Sequence, residues 1–138
     1  MKSDNAPDAL SHSWRQQSQQ SAQLTDCYLT KVRKGRKLMA DSRVVLCGLA
    51  RNVAEILPQT RARLERTGAM FGDYRIFLYE NDSNDGTAQL LADWQAVNSR
   101  MTFRSEALGR QQHPSIRCCN RAADMADYRN RCQQEVAE

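Results

Sequence analysis

The chain has 138 residues, 41% of them hydrophobic and 26% charged, with a formal net charge of +4. That length suits one domain able to bury a core, and so small a charge does not by itself indicate a nucleic-acid partner. No apolar run reaches the roughly 20 residues of a spanning helix, and the Ser-, Gln- and Asp-rich N-terminus does not resemble a secretory signal; no membrane span and a cytoplasmic location are expected.

Five cysteines (Cys27, Cys47, Cys118, Cys119, Cys132) form an odd set without framework spacing, which reads as a reducing compartment. Together with His113 they contain no Cys-x-x-Cys pair, so zinc is not expected.

Residues 1–23 are polar and low in complexity and read as a mobile tail. Leu24, Tyr28, Leu29, Val32 and Leu38 predict a short basic helix over residues 24–39, so residues 1–42 are set apart from the domain. Lys31, Arg33, Lys34, Arg36 and Lys37 crowd one stretch of it, a run that reads as a solvated helix face. Order is expected from Arg43. Val44 to Leu49 is almost continuously apolar, as for a strand covered on both faces, with Cys47 a small buried hydrophobe.

Asn52 can cap the next element, in which Val53, Ile56, Leu57, Thr60 and Leu64 recur at helical spacing up to Gly68. Pro58 implies either a turn before a helix starting there or a kink. Tyr74 to Tyr79 predicts a second strand. Thr87, Leu90, Leu91, Trp94 and Val97 predict an amphipathic helix capped by Asp85 or Thr87. Met101 to Arg104 predicts a third strand, Gly109 to Cys119 a loop, and Asn120 to Glu138 a polar helix with Ala123, Met125 or Ala126, Tyr128 and Cys132 inward. The order β-α-β-α-β-loop-α over residues 43–138 predicts an α/β fold, a partial doubly wound parallel sheet with right-handed crossovers.

The second strand runs into Glu80-Asn81-Asp82-Ser83-Asn84-Asp85-Gly86-Thr87. Ligands of open α/β sheets bind beyond the carboxyl ends of the strands. Glu80, Asp82 and Asp85 there can accept hydrogen bonds from a sugar hydroxyl or a base N–H, or help hold a cation. A calcium loop counted from Asn81 puts Gly86 at position six but Ala92 at twelve. A hairpin through Asp85-Gly86 conflicts with the helical period after it, and the glycines of a phosphate loop are missing. A purely structural turn accounts for Ser83 and Asp85. It leaves Glu80 and Asp82, whose mutual repulsion costs stability, without a role.

Leu46-Cys47-Gly48-Leu49-Ala50-Arg51-Asn52, paired with Phe77-Leu78-Tyr79-Glu80-Asn81-Asp82-Ser83-Asn84-Asp85-Gly86-Thr87, resembles the start of GT-A-fold glycosyltransferases. Tyr79 to Ser83, with Tyr128-Arg129-Asn130-Arg131, is most similar to the group related to fungal capsular mannosyltransferases. The resemblance covers residues 43–138 and implies a Rossmann-like half-domain. It further implies a nucleotide-sugar donor, an acceptor glycan or other hydroxyl compound, and a divalent cation, Mn or Mg, in the complete enzyme.

Position by position, it places Ala50 and Arg51 against the nucleotide, with Arg51 near a phosphate. Glu80 and Asp82 would accept from base or ribose, Asp85 would brace the turn, and Arg129 would approach the base or diphosphate. The family's Asp-x-Asp metal element is missing; Asp124 and Asp127, one helical turn apart, read as solvent-facing. No catalytic residue is assigned. The expectation is a truncated or fragmentary glycosyltransferase, inactive alone and, with an apolar edge strand open, prone to self-association. The alternative is a non-catalytic nucleotide-binding module, or a basic interaction module using residues 31–37.

Overall fold

A computed structural model describes residues 8–113 and 118–137, with side chains from residue 17 onward. The chain divides into two units at Met39 and Ala40. Residues 1–7 of the expected tail and residues 114–117 of the expected loop lie outside the described residues.

The first unit is a helix, α1 (Asp8–Ala40). It runs back through the Gln-rich segment, so the helix begins at Asp8 and not near residue 24. Gln, Ala and Leu are adequate helix formers, and low complexity records too little apolar surface for a core, which is a different property. From Gln17 to Leu38 every side chain except Val32 is exposed.

The second unit holds β1 (Arg43–Ala50), α2 (Leu57–Gly68), β2 (Asp73–Asn81), α3 (Thr87–Val97), β3 (Met101–Glu106) and α4 (Cys119–Ala137). The strands form a parallel sheet in the order β1-β2-β3, with Leu46 beside Ile76 and Ile76 beside Met101. This is the α/β fold expected. Pro58 falls in the first turn of α2, where its missing N–H costs nothing; the turn closed by Ile56 and Leu57 N–H on the Val53 carbonyl precedes it. Asn52 does not cap α2, whose N-cap is Ile56.

The period-2 alternation of β2 sends its side chains to two cores. Ile76 and Leu78 pack with Leu57 of α2 and with Leu91 and Trp94 of α3. Phe77 and Tyr79 pack with Tyr128 and Cys132 of α4. Glu65 joins α2 to α3 by accepting from Trp94 Nε1 at 2.8 Å and Asn98 Nδ2 at 2.9 Å. Burial raises the pKa of this carboxyl, but the Asn98, Trp94 and Arg61 donors outweigh burial and hold it below its usual value.

Within the second unit, among the described residues, two helices cover one face of the sheet and one helix, α4, the other. One helix is about 10 Å wide, too narrow for three strands, so β1 is not sealed on both sides as its apolar run suggests. Val45 is 43% exposed and Cys47 is exposed. Cys132 is buried beside Cys47, and burial first, then Cys47, pushes its thiol pKa up to about 11. On α4 the inward residues are Met125, Tyr128 and Cys132, while Ala123 and Ala126 are exposed.

Candidate functional site

The carboxyl edge of the sheet is held together by the acidic turn. Asn52, Val53 and Ala54, just after β1, present consecutive backbone N–H groups. Asn52 N–H donates to Ser83 Oγ at 3.0 Å, Val53 N–H to Thr87 Oγ1 at 2.9 Å, and Ala54 N–H to Asp85 Oδ2 at 2.9 Å. Asn84 N–H returns a bond to Asn52 Oδ1 at 2.9 Å. Asp85 Oδ1 accepts from Thr87 N–H at 3.0 Å and from the Thr87 hydroxyl at 2.6 Å. The Thr87 hydroxyl bond, then the Ala54 N–H, holds the Asp85 carboxyl below its usual range. The Ser-x-Asp-Gly-Thr pattern therefore sews one loop to the next, and Gly86 at φ 89° supplies the left-handed residue from which α3 starts.

Glu80 and Asp82 have internal partners too. Glu80, 2% exposed, accepts from Ser83 N–H at 2.8 Å and from the Ser105 hydroxyl. Its observed hydrogen bonds are thus made within the protein, to the turn and to β3. Asp82, in the left-handed region at φ 52°, accepts from Gly109 N–H at 2.8 Å, Arg110 N–H at 3.2 Å and Asn81 Nδ2 at 2.9 Å. Burial raises its pKa, but the Asn81, Gly109 and Arg110 donors lower it further than burial raises it. Each carboxylate fixes a different loop, so the repulsion between them is offset by N–H donors.

A crevice of about 260 Å³ opens at the ends of β1 and β2. Ala50, Arg51 and Asn81 form its sheet edge, Gln111 to His113 one wall, and Arg121, Asp124, Met125 and Tyr128 of α4 the other. Ala50 is buried. Arg51 Nη1 donates to the Gln111 carbonyl at 3.5 Å and Nη2 to the Arg110 carbonyl, while its Nε is buried with no hydrogen-bond partner among the described residues. Arg129 is exposed and lines a separate groove beside β1 with Cys47 and Cys132, so the structure does not bring it to the crevice.

Asp124 and Asp127, read from the sequence as solvent-facing, are instead ion-paired. Arg110 reaches Asp124 at 2.9 Å and Asp127 at 2.7 Å, and lies 5.3 Å from the Tyr128 ring centre. His113 Nε2 lies 2.7 Å from Asp124 Oδ2. The network continues through Arg131, 3.2 Å from Asp127 and 2.7 Å from Glu106, to Arg104 and Glu135. The Tyr79 hydroxyl donates to Glu106; burial first, then that bond, raises the Tyr79 pKa. These contacts clamp α4 onto β3 and the 107–113 loop onto α4. Arg121, Asp124, Met125 and Tyr128 sit at helical spacings of three, four and seven, the sequence signal that would have marked them as one face.

The carboxylates around the crevice do not fit a divalent cation. Glu80, Asp82 and Asp85 accept from N–H and O–H donors, and Asp124 faces Arg110 and His113. Among the described residues no group of three or more His, Cys, Asp and Glu side chains converges to hold a metal, and no helix is long and apolar enough to cross a membrane. None of the protein-family models, curated proteins or solved structures compared with the chain matches it.

Proposed function

We propose that this chain is the donor-binding part of a glycosyltransferase, and that the crevice holds part of a nucleotide sugar. The observation that carries the reading is the crevice itself, open at the carboxyl ends of parallel strands, where such sheets bind ligands. Arg51 and Arg121 make its rim cationic, while Asn81, Gln111 and Gln112 add neutral donors and acceptors. The orphaned Arg51 Nε is the kind of buried donor that a phosphate oxygen satisfies.

At about 260 Å³ the crevice lies near the small end of ligand pockets, so it suits a nucleoside or its diphosphate more than a whole nucleotide sugar. The resemblance of the Tyr79 to Thr87 turn to GT-A enzymes supports a sugar donor over a free nucleotide. In this reading the carboxylates of the acidic turn position the crevice, and no step is derived through a metal. A chain that holds nucleotide without transferring sugar is the second reading. It is favoured by the commitment of Glu80, Asp82, Asp85 and Asp124 to partners within the protein.

Calorimetric titration of the full chain with UDP, GDP and inorganic phosphate tests the proposal. Binding of one diphosphate above phosphate is expected, weakened about ten- to a hundredfold in Arg121→Gln by loss of a charge-assisted bond. Arg121 is exposed, so this variant keeps its fold. Equal affinity in wild type and variant, or no binding at millimolar ligand, would overturn it.

A further inference from the structure

The long helix α1 is left without a role by the crevice. Leu24, Tyr28 and Val32 recur every four residues along one side of it. Leu24 is 72% and Tyr28 66% exposed, which is unusual for large apolar side chains aligned in a row. Five basic residues cluster beside and beyond them: Lys31, Arg33, Lys34, Arg36 and Lys37, against the single acidic Asp26 between residues 24 and 40. On a helical projection Lys31 and Arg36 flank the apolar row, while Arg33, Lys34 and Lys37 lie away from it.

We infer that α1 is a surface-seeking helix that lies on an anionic lipid bilayer, its apolar row entering the acyl boundary and its basic residues meeting the headgroups. Charge complementarity selects this occupant. A second copy of the helix aligned in parallel would bring two basic runs together, and that repulsion opposes parallel self-pairing. A nucleic-acid backbone would match the charge but offers no apolar layer to receive Leu24 and Tyr28. A bilayer interface supplies both, and Lys and Arg stems can lie along apolar surface while their charges stay in water. The absence of a long apolar helix among the described residues fits a helix that rests on a membrane rather than one that crosses it.

Flotation of the full chain with vesicles of pure phosphatidylcholine and with vesicles containing phosphatidylserine tests this inference. Binding only to the anionic vesicles is expected, falling as salt rises. Replacing Lys31 and Arg36, which flank the apolar row, with Gln should weaken it about thirtyfold, given about 1 kcal/mol per basic residue at an anionic surface. Leu24→Ser with Tyr28→Ser should abolish flotation with all five charges retained, and circular dichroism checks that helix content is kept in both variants. No flotation with anionic vesicles would overturn the inference. So would flotation unchanged by the Leu24 and Tyr28 substitutions, or tighter binding to duplex DNA than to vesicles, each of which would mark a purely electrostatic surface.

Discussion

Thr87 is fully buried, with its hydroxyl between the Val53 N–H and the Asp85 carboxylate. Thr87→Val keeps the shape and removes both bonds, stranding a backbone donor in the turn. A loss of about 1–3 kcal/mol is expected, read as a lower urea midpoint with unchanged slope. A loss below a few tenths of a kcal/mol would mean that water replaces the hydroxyl and the loops are held otherwise. Ser83 and Asp85 bind the neighbouring N–H groups, so their energies should couple to that of Thr87.

Among the elements, the joint before β2 is the tightest. Gly72 donates its N–H to the Ser42 carbonyl at 3.0 Å, and a Cβ added there would lie 2.2 Å from the Ala40 carbonyl oxygen. Backbone cannot swing aside as a flexible side chain can. Gly72→Ala should therefore cost about 1–3 kcal/mol, with Asp73 N–H and its Ser42 acceptor the first contact strained. Thermal melting by circular dichroism reads this directly, and an unchanged melting temperature would show that this joint yields freely. At exposed Gly35, inside α1 with open space around its Cα, alanine should instead favour the helix slightly, a useful contrast within one molecule.

For the whole molecule, the carboxylates set the response to acid. Glu65, Asp73, Asp82, Asp85, Glu106 and Asp127 are all held below their usual pKa values. Groups with depressed folded pKa values stabilise above the unfolded values, about 4 for Asp and Glu, and lose that contribution as pH falls through the folded ones. The urea midpoint should be flat from neutral pH to about 5 and fall steeply below about 4. The buried Cys132 thiol acts in the opposite sense: its contribution is present below the usual thiol value, about 8.5, and is lost as pH rises toward about 11. Stability unchanged at pH 3 would show that these six carboxylates contribute little in their charged form.

The second unit's element order, its parallel sheet and the place where a crevice forms were all legible in the sequence. Each of these rests on local information: apolar runs, helical spacing, and Gly86 between a strand and a helix. Asp85 bonds to Thr87, two residues on, but also to Ala54, 31 positions back, which no local pattern reveals. What the acidic residues do emerged only on folding. Glu80 and Asp82 take donors from Ser105, Gly109 and Arg110, more than twenty positions away, which no local pattern announces. Asp124 and Asp127 gained partners in the same way, and Arg129 fell on the other side of α4. The exposure of Cys47 depended on how many helices cover a face, which no apolar run encodes. Hydrogen bonds and ion pairs between loops far apart in sequence leave no periodicity, so only the folded chain reveals them.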